Sequence, residues 1–284
     1  MARPPVAFAK GPSPNRAVRR IWRNFLVACG LAVALGVLAT APYGVPGAQP
    51  MAARSQPSPS EDGDPGTSVD AAATEPGALA YTSWSEQESP NYVRLVGTAE
   101  VAEPLEPGKV VYEGLDALGR TGRVRACITR QMMDEGRARA RSRSLPDPSG
   151  WPSHNEEVSI ELPDGRTYHG WFWNRSHLLA KSLGGSDELQ NLVCGTRMQN
   201  VGANDGQGGM DMFESAIRSW LEVYPDVSVQ YVATPLYEGD EPICRSVMVD
   251  VLSSDGQIDE RLEVYNAAKG YRIDYHTGEF ASVS

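Results

Sequence analysis

Cysteine is scarce in this chain of 284 residues: Cys29, Cys127, Cys194 and Cys244 are all it has. Cys29 falls in an apolar N-terminal run, so the other three permit at most one internal disulfide, and a disulfide-stapled fold is excluded. There is no CxxC pair and no Cys/His cluster, which leaves a structural zinc site without ligands. No internal repeat is present. Leu26-Val27-Ala28-Cys29 imitates a lipoprotein signal, but too short an apolar stretch precedes the cysteine for lipidation.

What is there begins with a basic and then an apolar N-terminus. Lys10, Arg16, Arg19, Arg20 and Arg23 precede the uncharged run FLVACGLAVALGVLATA, from Phe25 to Ala41. Basic residues ahead of roughly 17 apolar ones make an export segment, of a length between a signal-peptide core and a short membrane anchor. Ala39-Thr40-Ala41 has the small residues of a cleavage site, whereas Pro42 disfavours processing there, so residues 1–41 are read as a signal peptide or an N-terminal anchor. In both cases the arginines stay inside and the rest crosses, which predicts an extracellular or cell-surface protein. Residues 42–90 are rich in Pro, Gly, Ala, Ser and acidic side chains. They bury too little apolar area to offset their ordering entropy and are expected to form a disordered linker. The folded domain is expected over 91–284.

The net charge of −10 belongs to that domain, which holds 19 Lys/Arg against 29 Asp/Glu. A uniformly acidic surface would repel a polyanion. The charge is uneven, however: residues 91–143 hold 10 basic and 7 acidic side chains, and residues 211–284 hold 5 and 14. This predicts a polarised domain with one basic face and one acidic end.

The pattern of elements predicts an α+β fold. VRACI reads as a strand. Arg137, Arg139, Arg141 and Arg143 follow at every second position, which fits an extended segment with one charged edge, a helix that scatters them, or a solvated loop. VSIEL (158–162) and RTYHGWFW (166–173) are joined by Pro163-Asp164-Gly165, a hairpin turn. SDELQNL is expected to open a helix, with Ser186 as N-cap. Past the glycine-rich VGANDGQGG, residues Phe213, Ile217, Trp220, Leu221 and Tyr224 make the stripe of an amphipathic helix. Period-two strands follow at 227–237, 246–254 and 261–268, expected to form an antiparallel sheet packed on the helices.

Three stretches carry a resemblance: NRSHLLAKSLGG after the aromatic strand, NLVCGTRMQN up to Asn200, and MDMFESAIRSWL. In that order they resemble the DNA/RNA non-specific endonucleases, in the branch of bacterial DNA-entry nucleases, with YNAAKGYRIDYHTGEF similar to the family's closing strand and turn. The likeness covers roughly residues 108–284. It implies a ββα-metal core, in which a strand pair presents a histidine and a crossing helix presents a metal-binding asparagine. Carried over by position, His177 is the general base, Asn200 the direct Mg²⁺ ligand (or Mn²⁺), and Glu214 a metal-side carboxylate acting through water. Asn191 is implied at the start of the crossing helix, orienting the site. Two departures stand inside the signature: Asn174 replaces the family's aspartate and Ser176 its glycine. Asn174 can still position a hydrogen bond but has no charge with which to raise the basicity of His177.

The chemistry explains the residue types. A neutral imidazole can take a proton from water near pH 7, while a hard cation that keeps several waters suits a single amide oxygen. Arg175 or Arg218 could hold a phosphate oxygen, and Arg137, Arg139, Arg141 and Arg143 could follow the backbone, contacts that carry no base code. The resemblance therefore implies a monomeric catalytic domain that cuts DNA and RNA. Taken singly, His177 beside Leu178, Leu179 and Phe172 would be a core histidine, Asn200 a helix cap, and Glu214 with Arg218 an i,i+4 surface pair. A nuclease-like binding module without catalysis, and a secreted toxin with a cognate inhibitor protein, are the rival functions.

Overall fold

The computed structural model describes residues 81–140, 142 and 144–283. The apolar leader, most of the Pro-rich segment, Arg141 and Arg143 fall outside the described residues. In chain order the described elements are β1 (Val93–Gly97), β2 (Val110–Tyr112), β3 (Val124–Ile128), α1 (Arg130–Ala138), β4 (Glu157–Glu161), β5 (Thr167–Trp171) and β6 (Trp173–His177). Then come β7 (Leu192–Thr196), α2 (Arg197–Val201), α3 (Gly209–Val223), β8 (Val229–Leu236), β9 (Ser246–Ser253), β10 (Asp259–Tyr265), β11 (Tyr271–Ile273) and β12 (Phe280–Ser282). Short 3₁₀ turns occupy Lys181–Leu183 and Leu189–Asn191. Among the described residues no helix is long and apolar enough to cross a membrane.

Six strands form one antiparallel sheet in the order β1-β10-β9-β8-β3-β2. The class is α+β, as the sequence predicts. α3 lies on this sheet because its period places Phe213, Ile217, Trp220 and Leu221 on one buried face, against Tyr231, Val249, Val251 and Val264. Each such side chain contributes about 1.5–3 kcal/mol on leaving water. α1 begins at Thr129, whose hydroxyl accepts from the Met132 amide. Gly136 lets it pass close to the Lys181–Leu183 turn, since a Cβ there would stand 2.3 Å from the Lys181 carbonyl.

The remaining strands make three hairpins: β4–β5, β6–β7 and β11–β12. The Pro163-Asp164-Gly165 turn joins the first, with Gly165 at φ 82°. These hairpins share a second core, where Phe172 stacks on Phe280 at 3.8 Å and meets Trp173 edge-on at 5.0 Å. Residues 81–90 also touch the fold: Trp84 stacks on Tyr92 at 4.8 Å, and Thr82 donates through Oγ1 to Glu263 at 2.7 Å.

Four local expectations need correction. The aromatic run at 166–173 is not one strand: it breaks at Phe172, whose amide bonds to the Glu156 carbonyl, so β5 and β6 belong to different hairpins. SDELQNL does not open a helix. It makes the Leu189–Asn191 turn and leads into β7, and the turn's cap, Glu188, makes no side-chain capping bond. Asn191 therefore stands before β7 and not at the head of the crossing helix, which is α2, capped by Thr196. The charged-edge reading of the arginines also fails where it can be checked, because Arg137 closes α1 and Arg139 caps it. Cys127, Cys194 and Cys244 are buried and free, so no disulfide joins them.

The β6–β7 hairpin is tied to the main sheet through Asn266. Its fully buried carboxamide accepts from the Thr196 amide at 2.7 Å and donates to the Cys194 and Cys244 carbonyls at 2.9 and 2.8 Å. Asn266→Ala leaves three buried backbone groups without partners, and we expect a loss of roughly 3 kcal/mol. Urea unfolding of the variant checks this; a midpoint unchanged from the parent would mean that the hairpin is held elsewhere.

Candidate active site

The Asn-Arg-Ser-His stretch is itself a strand. In β6 it pairs with β7 in the register Asn174 to Gly195, Arg175 to Cys194, Ser176 to Val193 and His177 to Leu192. Beyond His177 the chain must reverse within a few residues, and Gly184 and Gly185 make that reversal sterically allowed. Gly184 has φ 104°, and a Cβ on Gly185 would stand 1.8 Å from the Leu179 carbonyl oxygen. Asn191 closes the loop from inside: its side-chain oxygen accepts from the Leu179 amide at 2.9 Å, and its Nδ2 donates to Leu179 and Ser186 at 2.9 and 2.8 Å.

The closed loop carries Asp187 to His177. Nε2 of His177 lies 2.9 Å from Oδ1 of Asp187, and Nζ of Lys181 lies 3.6 Å from Oδ2 of the same carboxylate. An ionised carboxylate only accepts hydrogen bonds, so Nε2 bears the proton and the lone pair resides on Nδ1. Burial lowers the imidazole's pKa below its ordinary value; Asp187 pulls in the opposite direction, and Lys181 and Arg139 reinforce the lowering. Burial would raise Asp187, but the bond to His177 and the charge of Lys181 leave it lowered and ionised.

On α2, Asn200 faces this strand. Its Oδ1 accepts from Oγ of Ser176 at 3.3 Å and its Nδ2 donates to Oδ1 of Asn174 at 3.3 Å. The two departures from the family signature are thus the two side chains that hold the Asn200 amide. Glu214, on α3, is buried, and burial pushes its pKa up to about 8, with Arg218 and the Ala180 amide pulling it down and Asp211 pushing it further up.

His177, Asp187, Asn200 and Glu214 line one cleft of about 590 Å³, together with Arg137, Arg139, Arg175, Lys181 and Arg197. Basic side chains outnumber acidic ones there, in a chain whose net charge is −10. The other arginines are partly committed. Arg137 pairs with Glu222 at 2.6 Å, Arg139 donates to the Gly185 carbonyl at 2.7 Å, and Arg175 is held by Asp147 over the Trp151 ring. Arg218 is engaged by Asp211 at 2.8 Å and Ser182 at 2.9 Å, so the alternative i,i+4 surface pair with Glu214 is not formed. His154, His169 and His276 stand apart, bonded to or beside Glu156, Ser159 and Asp240 respectively. Asp187, Lys181 and Arg197 escape sequence reasoning. Asp187 reads there as a helix-start acid, and only the closed loop shows its partner.

Two antiparallel strands and a crossing helix, with a histidine on the first strand and an asparagine on the helix, define the ββα class of fold. Residues 106–255 match the family model described as DNA/RNA non-specific endonuclease, and the chain belongs to that family. A deoxyribonuclease of Streptococcus dysgalactiae subsp. equisimilis is 36% identical over 209 residues, which are 64% of this chain and 63% of that protein. The chain thus spans just under two thirds of that relative's length. The structure of Sda1 nuclease with bound zinc ion is 34% identical, with a TM-score of 0.66, covering 70% of this chain and all of the other. NucA from Streptococcus agalactiae with magnesium ion bound shares the fold at 19% identity and a TM-score of 0.53, over 70% of this chain and 97% of that one.

Asn191 bonds only to backbone, and its contribution is the shape of the loop that delivers Asp187. Asn191→Ala is expected to cost roughly 2–4 kcal/mol and to release the His177–Asp187 contact. The imidazole resonances report this by NMR: a variant that keeps the parent His177 shifts would show that another group closes the loop.

Proposed function

We propose that this chain is a metal-dependent endonuclease that hydrolyses phosphodiester bonds in DNA, and also in RNA, outside the cell or at its surface. One observation carries the reading: within a single basic cleft, an imidazole in contact with a carboxylate stands on the strand facing an asparagine amide held by two side chains. Family membership and the 36% identical deoxyribonuclease support the class of reaction. The sequence reading of residues 1–41 as an export segment supports the location.

A divalent cation fits the donors present. Oδ1 of Asn200 accepts one long hydrogen bond and keeps a lone pair, and the Glu214 carboxyl is a second hard oxygen in the same cleft. Asn200 would hold the ion directly and Glu214 through water, with Mg²⁺ or Mn²⁺ as the occupant; Zn²⁺ and Mg²⁺ are the ions bound in the structures of Sda1 nuclease and NucA. Such an ion supplies positive charge to the phosphate and the departing oxygen.

The chain's own residues do the rest. Nδ1 of His177 accepts the proton of the attacking water, and Asp187 keeps that atom unprotonated by retaining the ring proton on Nε2. Ser176 and Asn174 aim the Asn200 oxygen. Lys181, Arg139 and Arg197 attract the phosphate backbone without reading bases, so cleavage is sequence-independent.

Digestion of supercoiled plasmid by the purified chain tests this. Cutting should require Mg²⁺ or Mn²⁺, stop with EDTA, and fall by about 10²- to 10⁴-fold in His177→Ala. Undiminished cutting by that variant would remove the assigned base. The pH profile gives an independent check. A base whose pKa is lowered stays neutral below the ordinary imidazole value of about 6.5, so the acid limb of kcat/KM should fall below it. Asp187 pulls the His177 pKa upward, so Asp187→Asn should move that limb to lower pH still and reduce the plateau by about tenfold or more. A limb displaced to higher pH would contradict the assignment.

A further inference from the structure

Beside the catalytic cleft runs a second, open groove of about 890 Å³, whose walls include Trp151, Trp171 and Arg175. Ser142, Leu145 and Arg175 line both spaces, so the two adjoin. Trp171 is 53% exposed, although it ends a strand whose neighbours pack into the second core. Among the described residues, no side-chain hydrogen bond or ring contact engages this half-exposed indole. The Arg175 guanidinium lies 4.0 Å from the centre of the Trp151 ring, and its charge is already matched by Asp147. What Arg175 offers here is therefore a flat face, not a free cation.

One wall of the groove is braced by hydrogen bonds. The Asn155 side chain clasps the Trp173 backbone from both sides, accepting from its amide at 3.0 Å and donating to its carbonyl at 2.9 Å. Trp173 in turn is buried and donates through Nε1 to the Gly278 carbonyl at 2.9 Å. The end of the loop that bears Trp151 is thus fastened at Asn155 to β6, close in sequence to the strand end that bears Trp171.

We propose that this groove is a base-stacking subsite for unpaired nucleotides flanking the scissile phosphate, with Trp171 and the Arg175–Trp151 stack as its platforms. An indole or guanidinium plane accepts any base by its face, which adds affinity without sequence preference. In a duplex the bases are paired and stacked on each other and cannot reach the indole unless they are pulled out. The groove therefore favours single-stranded DNA or RNA, or frayed and gapped regions. This rests on the nuclease reading for its substrate, and it adds which form of that substrate is taken.

Binding separates the two ideas. The full chain carrying His177→Ala, kept in EDTA, is titrated by fluorescence anisotropy against a labelled oligothymidylate and against a blunt duplex of equal length. The oligothymidylate should bind more tightly. Adding Trp171→Ala should weaken it by roughly 5- to 100-fold, Trp171→Phe should restore most of the loss, and duplex binding should change less than about twofold. Equal affinity before and after Trp171→Ala, or an equal loss for both ligands, overturns the subsite. If plasmid cutting fails while the indole-dependent binding persists, the nuclease reading falls and the subsite stands. Trp171 belongs to neither core, so its replacement leaves both intact.

Discussion

The site depends on carboxamides buried with every polar atom satisfied. β6 and β7 form a two-stranded ladder outside the six-stranded sheet, and such a ladder is marginal in water without support. Asn266 binds one end of it to the sheet through the Cys194 and Thr196 backbone, while Asn191 ties the chain on either side of the connecting loop. Both are fully buried. An amide suits these places because it offers donors and an acceptor at once and carries no charge to desolvate. Neither residue reaches a substrate, yet the histidine, the aspartate and the second asparagine take their relative positions from the hairpin these two hold.

Electrostatics are local in the same sense. The chain as a whole is acidic, but Arg139, Lys181 and Arg197 converge on one cleft, and much of the acidic excess falls in residues 211–284. At about 8–10 Å of screening in physiological salt, the potential inside the cleft is set by these near charges more than by the distant ones. The missing charge at position 174 has a counterpart in space: Asp187, from the loop, supplies the carboxylate beside the imidazole. Asn174 meanwhile serves the Asn200 amide. Position-by-position comparison with the family signature does not show this, because the carboxylate comes from a different part of the chain.

Much of the fold is legible where a local rule acts alone. The α3 stripe of Phe213, Ile217, Trp220 and Leu221, the Pro-Asp-Gly turn and the period-two strands after Pro225 agree in the sequence and in the structure. Misreadings occur where local signals compete. Ser186-Asp187-Glu188 has the composition of a helix start, yet the Asp187 carboxylate bonds to His177 and the chain continues as a strand. The run of alternating arginines likewise conceals α1, whose Thr129 cap and buried Met133 lie just upstream. The break at Phe172 has no signal within its own residues. It follows from Glu156 and Phe280, which are far away in sequence.

The sequence by itself determined the kinds of chemistry available: one histidine at a strand end, an asparagine and a glutamate at fixed spacings beyond it, and three cysteines too few for a scaffold. These follow from residue type and order, which local sterics and periodicity translate directly into strands, turns and helices. The tertiary structure decided which groups meet, namely Asp187 with His177, Ser176 and Asn174 with Asn200, and Trp151 with Arg175. Such pairings depend on loop closure and on packing between segments distant in the chain, and those are set by the burial of the whole rather than by any stretch of it.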